Sequence, residues 1–428
     1  MNHTLAVIGG GVAGLMSCQQ AFAHGRFDRV LWFRADPNSL GIAYDTRCPA
    51  HLLNVPAKLM GLDPAVPAGF HDWLSHNRPG CWQPDDFVPR MEFAAYIQAR
   101  IDAMDMRVLQ IHQPAARAEK TQLGWRVSTA KQGFDVDAVL LATGFPLAQL
   151  SRESADLPNV FEAWHWFSKF ANAISLQRLA DKVLLVGSGL TAVDMVLGLR
   201  ALGHVGEIDV VSSSGRWPLP HAHTTPLSQL QLAPILAELQ ACTAPAAVVG
   251  TLRRAAKILP WRSLLDALRP YTNNLWTSWP ASLRLKLVER TYSFWGQHRH
   301  RVPPQALAAV LADTRVSLRK GRVKIQNGFV AINGAQQPAG QLTLFCVGAR
   351  FSDGIGADAL LDPLMQQGFL KANALNIGTV AAENSGLALI GARRFGELFE
   401  TVAVPELRQQ AELAIQMLSN SVLSKLGR

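Results

Sequence analysis

Short apolar runs that end in glycine turns and lead into amphipathic stretches organise this chain. Leu5 to Ile8 form an apolar run that meets Gly9-Gly10-Gly11-Val12-Ala13-Gly14, after which Leu15 and Met16 open an amphipathic stretch to about Ala23. A second strand follows at Arg29 to Phe33, so the opening predicts strand, tight turn, helix and strand, a βαβ unit. The order returns at Lys182 to Val186, the turn Gly187-Ser188-Gly189-Leu190-Thr191-Ala192, a helix through Leu202 and a strand Glu207 to Val211. A further buried strand is predicted from Ala138, ending in Thr143-Gly144.

Two glycine turns 178 residues apart, Gly9 to Gly187, read as a coarse internal duplication with two dinucleotide sites. From Leu227 to Val302 the texture changes to Leu, Ala, Arg and Trp punctuated by Pro260, Pro270 and Pro280, which predicts a helical insert. Strand-like segments return at Val316 to Ile325, Phe329 to Ile332 and Leu342 to Val347. A last strand, Leu387 to Ile390, precedes a loop from Gly391 to Thr401 and a helix from about Pro405 to Leu418. That helix carries Leu407, Ala411, Ala414, Ile415 and Leu418 on one face. The expected fold class is α/β, two Rossmann-like dinucleotide-binding domains with a helical insert. The boundaries read 1–150 for the first part of an FAD-binding domain, 181–350 for an NAD(P)-binding domain with its insert at about 225–305, and 351–428 for a return to the first.

Composition narrows the class. With 49% apolar and 17% charged residues over 428 positions the chain is neither disordered nor fibrous. No stretch approaches the roughly 18 uninterrupted apolar residues of a membrane-spanning helix, and the opening lacks the basic flank of a secretory signal. The expectation is a cytoplasmic protein without a membrane partner. The net charge of +9 is scattered and forms no basic run, so an anionic cofactor or substrate accounts for it and nucleic acid is not an expected partner. Five cysteines with no Cys-x-x-Cys and no His/Cys cluster point away from disulfides, dithiol chemistry and metal.

A glycine fingerprint binds a dinucleotide because its first glycine makes the tight turn, its second admits the pyrophosphate and its third lets helix approach strand. Gly9, Gly11 and Gly14 stand in that order between strand and helix, and the helix N-terminus would face the phosphates. The acid expected on the ribose at the end of the second strand is replaced by Arg34, with Asp36 two residues on. Three readings stay open: Asp36 takes the ribose hydroxyls, Arg34 contacts the adenosine half, or the two are a solvated surface pair. In the second unit Gly187 and Gly189 are followed by Ala192 in the third position, which is compatible with NADP. The next strand runs into Ser212-Ser213-Ser214-Gly215-Arg216, where no carboxylate waits for a free 2′-hydroxyl while hydroxyls and Arg216 suit a 2′-phosphate. NADPH is therefore expected over NADH. Asp194 reads as a carboxylate near a positive helix end.

Neither turn holds a Gly-x-Ser-x-Gly elbow, so a serine hydrolase is not expected. His298-Arg299-His300-Arg301 is the densest basic cluster and reads either as a solvated turn or as an anion site for a substrate carboxylate or cofactor phosphate. Arg299, Arg301 and Asn54 are the substrate-orienting candidates; no catalytic group declares itself. Trp261, Trp276, Trp279 and Trp295 read as packing more than as a stacking platform.

These landmarks resemble the bacterial FAD/NAD(P)-binding proteins that include the FAD-dependent urate hydroxylase type and relatives that hydroxylate amino nitrogens. The resemblance spans nearly the whole chain. It rests on Val7 to Gly14, Leu40-Gly41-Ile42-Ala43-Tyr44, Leu52 to Ala57, Phe87-Val88-Pro89-Arg90, Leu141 to Gly144, Gly187 to Asp194, Trp295 to Arg301 and Glu400 to Arg408. It implies FAD on the first fingerprint, a nicotinamide cofactor on the second and the Leu53 to Ala57 loop near the flavin ring. The cofactor-binding set is then Gly9, Gly11, Gly14, Asp36, Asn54, Thr143, Gly144, Gly187, Gly189, Ala192, Arg216, Gly391 and Glu400. Arg34 stands where the family has an acid, and Ser213-Ser214 where it often has arginines. The expected activity is an NAD(P)H-dependent flavin monooxygenase on a small nitrogen-containing or other polar metabolite. Its alternative is a flavin or nucleotide-binding module or sensor with a degenerate reductive site.

Overall fold

A computed structural model gives the architecture. It describes residues 3–426 apart from 24, 145–156, 158, 171–181, 327, 339 and 348–357. The domain boundaries expected near 150, 181 and 350 fall at or beside positions outside the described residues. By its contacts the chain divides into two compact units, one of Met1–Asp45, Val55–Pro146 and Arg350–Arg428, the other of Thr46–Asn54 and Leu147–Ala349.

In the first unit five parallel strands lie in the order Leu387–Leu389, Ala138–Leu141, Thr4–Ile8, Arg29–Phe33 and Val108–Ile111. Thr4 pairs with Arg29 and Ile8 with Phe33 on one side, and Leu5 with Ala138 and Ile8 with Leu141 on the other, so the N-terminal strand is central and both its neighbours come from later in the chain. That strand is buried at every position, which is why it reads as a continuous apolar run and not as an alternation. Crossing out of it, the helix Val12–Gln20 ends sooner than the amphipathic stretch suggested, at Gln20. The terminal helix Val404–Leu426 extends past the expected Leu418 and packs against that first helix. Its predicted face is the buried one: Ala411, Ile415 and Leu418 are fully inaccessible.

The second unit repeats the plan with strands Val316–Lys320, Glu207–Ser212, Lys182–Val186, Leu342–Phe345 and Val160–Glu162, all parallel. Gly321 interrupts what the sequence presented as one strand-like segment, and a separate three-stranded antiparallel sheet follows at Val323–Gln326, Phe329–Ile332 and Ala335–Gln336. Helices Gln229–Gln240, Pro245–Ile258, Trp261–Leu268, Thr272–Ser278 and Ala281–Arg299 lie between the third and fourth of its parallel strands in chain order, Glu207–Ser212 and Val316–Lys320. Trp276 is buried within this helical group at 2% exposure.

A short excursion, Thr46–Asn54, belongs to the second unit although the chain on both sides belongs to the first. His51 is its anchor, fully buried, with Nδ1 2.7 Å from Thr46 Oγ1 and Nε2 2.9 Å from the Asp194 carbonyl oxygen. Gly198 makes this docking possible, because a Cβ there would lie 2.7 Å from His51 Nε2 and 2.5 Å from Phe167.

Candidate functional site

Each glycine turn sits where strand order reverses, at the carboxyl end of the central strand, the crevice in which open α/β sheets bind ligands. In the first unit Gly9 N donates to Phe33 O at 3.1 Å on one side, and Ala142 N donates to Ile8 O at 2.8 Å on the other. Gly9 has φ +133°, and a Cβ there would stand 2.1 Å from the Ala142 carbonyl oxygen. A Cβ on Gly14 would stand 2.0 Å from the Gly9 carbonyl oxygen, so helix and turn meet at a distance only glycine permits. Gly11 behaves differently. Its backbone is extended at φ −82°, and the nearest atoms to an added Cβ are 3.7 Å away. Neither turn geometry nor packing demands glycine there, which leaves close approach of a ligand as the physical reason for it.

The second unit is built the same way. Gly187 N donates to Val211 O at 2.8 Å, and Cys346 N donates to Val186 O at 2.8 Å. Gly187 has φ +108°, with an added Cβ 2.7 Å from the Cys346 carbonyl oxygen, while a Cβ on Gly189 would meet nothing within 4 Å. The buried methyl of Ala192 fits where a Cβ on Gly14 does not, so this helix packs less closely against its turn.

Both helices present bare N-termini. Gly11 and Gly189 are the N-caps, neither helix has a side-chain cap, and neither carries an acid in its first turn. Backbone N–H groups left without internal partners, at the positive end of a helix, are the donors a pyrophosphate needs. The residues present therefore fit a dinucleotide on each turn. Asp194 is the fifth residue of its helix and is 6% exposed, so the expected role of complementing an open helix end gives way to a buried position beside the His51 anchor.

At the end of the second strand the surface-pair reading fails for Arg34. Its side chain is buried at 2% exposure, reaching Gln110 Oε1 at 2.9 Å and the Pro37 carbonyl at 3.0 Å, and it lies 4.8 Å over the Trp32 ring. It fixes the Pro37–Ser39 turn, and the loss of solvent lowers its pKa. Asp36 is exposed and accepts from Asn38 N at 2.8 Å. In the second unit the serines are partly spent: Ser188 Oγ donates to the Arg216 carbonyl at 2.7 Å, Ser212 Oγ accepts from Gly215 N at 3.0 Å and Ser214 Oγ from Arg216 N at 3.3 Å. These bonds hold the turn. Ser213 and Arg216 are exposed, and the Arg216 guanidinium has no partner among the described residues.

Thr143, Gly144, Gly391 and Glu400 all fall in the first unit. Arg393, which sequence reasoning missed, donates from Nε to Thr143 Oγ1 at 3.2 Å and from Nη2 to Asp358 at 3.3 Å; burial lowers its pKa. Gln410 on the terminal helix accepts from Gly391 N at 3.0 Å and donates to the Thr401 carbonyl at 3.1 Å, closing the loop between them. Glu400 is buried in that loop at 5% exposure. No spacing in the sequence points to Arg393, whose partner Thr143 lies 250 positions away and is brought to it by the strand Leu387–Leu389 pairing with Ala138–Leu141.

The basic cluster is not a solvated turn either. Arg299 and Arg301 are 9% and 3% exposed. His221 N donates to Val302 O at 2.9 Å and Val302 N to Leu219 O at 3.1 Å, a pairing that brings His221 beside Arg301. The His221 ring donates from Nε2 to the Asn54 carbonyl at 3.0 Å. Burial, then the Arg301 charge, pushes the His221 pKa down to about 4, so the ring is neutral at pH 7.

Residues 6–146 match the FAD-NAD(P)-binding family model. A search by sequence among curated proteins finds no match. Among solved structures the chain is similar to ornithine hydroxylase from Pseudomonas aeruginosa, with TM-score 0.63 and 16% identity over 99% of this chain and 100% of that one. It is similar to ornithine N-hydroxylase from Kutzneria sp. 744, solved with reduced FAD, NADP+ and L-ornithine, with TM-score 0.62 and 13% identity over the whole of both chains. Bacillithiol disulfide reductase from Staphylococcus aureus gives TM-score 0.54 and 13% identity over 99% of each chain. The shared architecture is an α/β fold with two Rossmann-like halves.

The cysteines of this chain do not form a disulfide pair. Cys18, Cys48, Cys242 and Cys346 are buried and none of the five is bonded to another. Burial pushes the Cys18 and Cys346 thiols well up, away from the thiolate form that exchange requires. No group of metal ligands occurs, and no helix is long and apolar enough to cross a membrane, among the described residues.

Proposed function

We propose that this chain is an FAD-dependent oxidoreductase using NAD(P)H, with NADPH preferred, and that it acts as a monooxygenase on a small, polar, nitrogen-containing metabolite. The observation that carries the reading is the open second glycine of both turns, Gly11 and Gly189, on uncapped helix N-termini. Gly9, Gly11 and Gly14 would hold the FAD pyrophosphate, with Asp36, the only exposed acid in the turn after the second strand, on the ribose. Thr143, Gly144, Gly391 and Glu400 would line the rest of that site, and Gly187, Gly189, Ala192 and Arg216 would hold the nicotinamide cofactor. When bound, the two groups would supply hydride transfer to the flavin and activation of oxygen. The likeness to an ornithine N-hydroxylase solved with both cofactors supports the choice of reaction, as does the lack of a paired thiol.

Anaerobic mixing of purified, FAD-loaded protein with NADPH tests it. The flavin absorbance bleaches, and on return to air one amine or amino acid in a panel raises oxygen consumption while lowering peroxide release. Flavin that stays oxidised at millimolar NADPH would sink the enzyme reading.

Cofactor choice has its own readout. Arg216→Ala is expected to raise the KM for NADPH at least about tenfold, since a hydrogen bond to a charged group is worth about 1.5–3 kcal/mol, and to leave that for NADH nearly unchanged. Equal losses for both cofactors would remove Arg216 from the 2′-phosphate.

A further inference from the structure

One cluster in the second unit is not used by either dinucleotide turn. Arg301, just beyond the helix Ala281–Arg299, is 3% exposed, and its only described partner is Asp266, which accepts from Nη2. Nε and Nη1 are buried with no hydrogen-bond partner. A guanidinium withdrawn from water with donors left over is costly to the fold, because each unsatisfied buried donor forfeits its hydration without return. Arg262 adds a second cation: it donates to the Pro220 carbonyl from Nε at 3.3 Å and Nη2 at 3.2 Å, and burial, then the Arg301 charge, lowers its pKa. His221, neutral beside them, contributes no charge of its own and is itself held at Asn54. Against these cations the cluster sets a single described carboxylate, Asp266, which is 39% exposed.

We propose that Arg301, with Arg262 beside it, is a binding site for the carboxylate of a small-molecule ligand. Asp266 shows the chemistry the guanidinium accepts, because a carboxylate already occupies one of its nitrogens. Being half in solvent, that internal carboxylate is a competitor that an incoming one joins or displaces. Arg216, exposed and unpartnered, is the separate cation for a cofactor phosphate. The inference deepens the proposed function by assigning the substrate a carboxylate, and rests on that reading only for the word substrate.

Two variants push in opposite directions. Asp266→Asn removes the competitor and its exposed position keeps the fold safe; Arg301→Gln removes the charge. Butyrate, its neutral amide butyramide and inorganic phosphate are titrated against FAD-loaded protein by ligand-observed NMR. Butyrate is expected to bind the parent protein and to bind Asp266→Asn at least about threefold tighter. Butyramide and the Arg301→Gln variant each lose about tenfold or more, the loss of a charged hydrogen bond. Equal binding of acid and amide, or an Asp266→Asn variant indistinguishable from the parent, overturns the site, and the second comparison decides the matter if Arg301→Gln does not fold. Phosphate binding tighter than butyrate and displaced by NADPH would make it a cofactor-phosphate site and overturn the carboxylate assignment. Flavin bleaching by NADPH is recorded on the same samples without butyrate: its absence sinks the proposed function, whereas absent butyrate binding with normal bleaching sinks only this site.

Discussion

Gly11→Val is expected to give folded protein that purifies without colour, whereas Gly9→Val and Gly14→Val do not accumulate as folded protein. The three glycines lie within one turn but meet different things. At Gly9 and Gly14 an added Cβ falls 2.1 and 2.0 Å from backbone carbonyl oxygens, and at Gly9 φ is +133° as well. Backbone cannot yield as a flexible side chain does, so these substitutions should cost more than about 4 kcal/mol, a large share of a typical total stability of about 5–15 kcal/mol. At Gly11 the backbone is already in a region valine favours and the space is open. The isopropyl group there occupies the approach of the pyrophosphate to the bare helix end. Losing two charge-assisted bonds at about 1.5–3 kcal/mol each lowers flavin affinity by at least about a hundredfold. Circular dichroism and a thermal melt report the fold, and flavin absorbance after release by denaturation reports the cofactor. Full flavin content in Gly11→Val would remove the assignment of FAD to this turn.

Truncation before Gly391 should abolish flavin binding by unfolding the first unit, not by trimming a site. The segment carries the terminal helix, whose Ala411, Ile415 and Leu418 are fully buried, with Leu407 and Val422 nearly so. Burial of each larger apolar side chain is worth about 2 kcal/mol, so their joint removal approaches the whole stability of a domain. Arg408 adds a long-range tie, donating from Nη1 to the Gly61 carbonyl at 2.6 Å. The measurement is limited proteolysis beside far-ultraviolet circular dichroism. A truncated chain that resists protease and keeps its flavin would show that the helix is an accessory. A point change inside the intact segment isolates the site instead, and Glu400→Gln is the one to compare with the parent for flavin affinity.

The sequence by itself determined what short-range patterns can encode. A continuously apolar run of four residues, a glycine at a position of positive φ and an amphipathic stretch are each readable within a dozen positions, and together they specify a βαβ unit. Twice repeated, they carried the class of fold, the two turns and the buried face of the terminal helix. The tertiary structure decided whatever depended on partners distant in sequence. Arg34 and Asp36 look alike as loop residues, yet one is buried against Gln110 and the other is exposed, because the neighbouring strand supplies a partner 76 residues away. Arg301 reads equally as part of a solvated basic turn or of an anion site, and its burial to 3% exposure beside Asp266 is visible only in the fold. His51 gives no signal at all, since its bond to Asp194 spans 143 positions and needs the missing side chain of Gly198 on another helix. Periodicity records which face of an element is buried; it carries no record of what buries it, and burial against a particular partner is what turns an arginine from a solvated charge into a site.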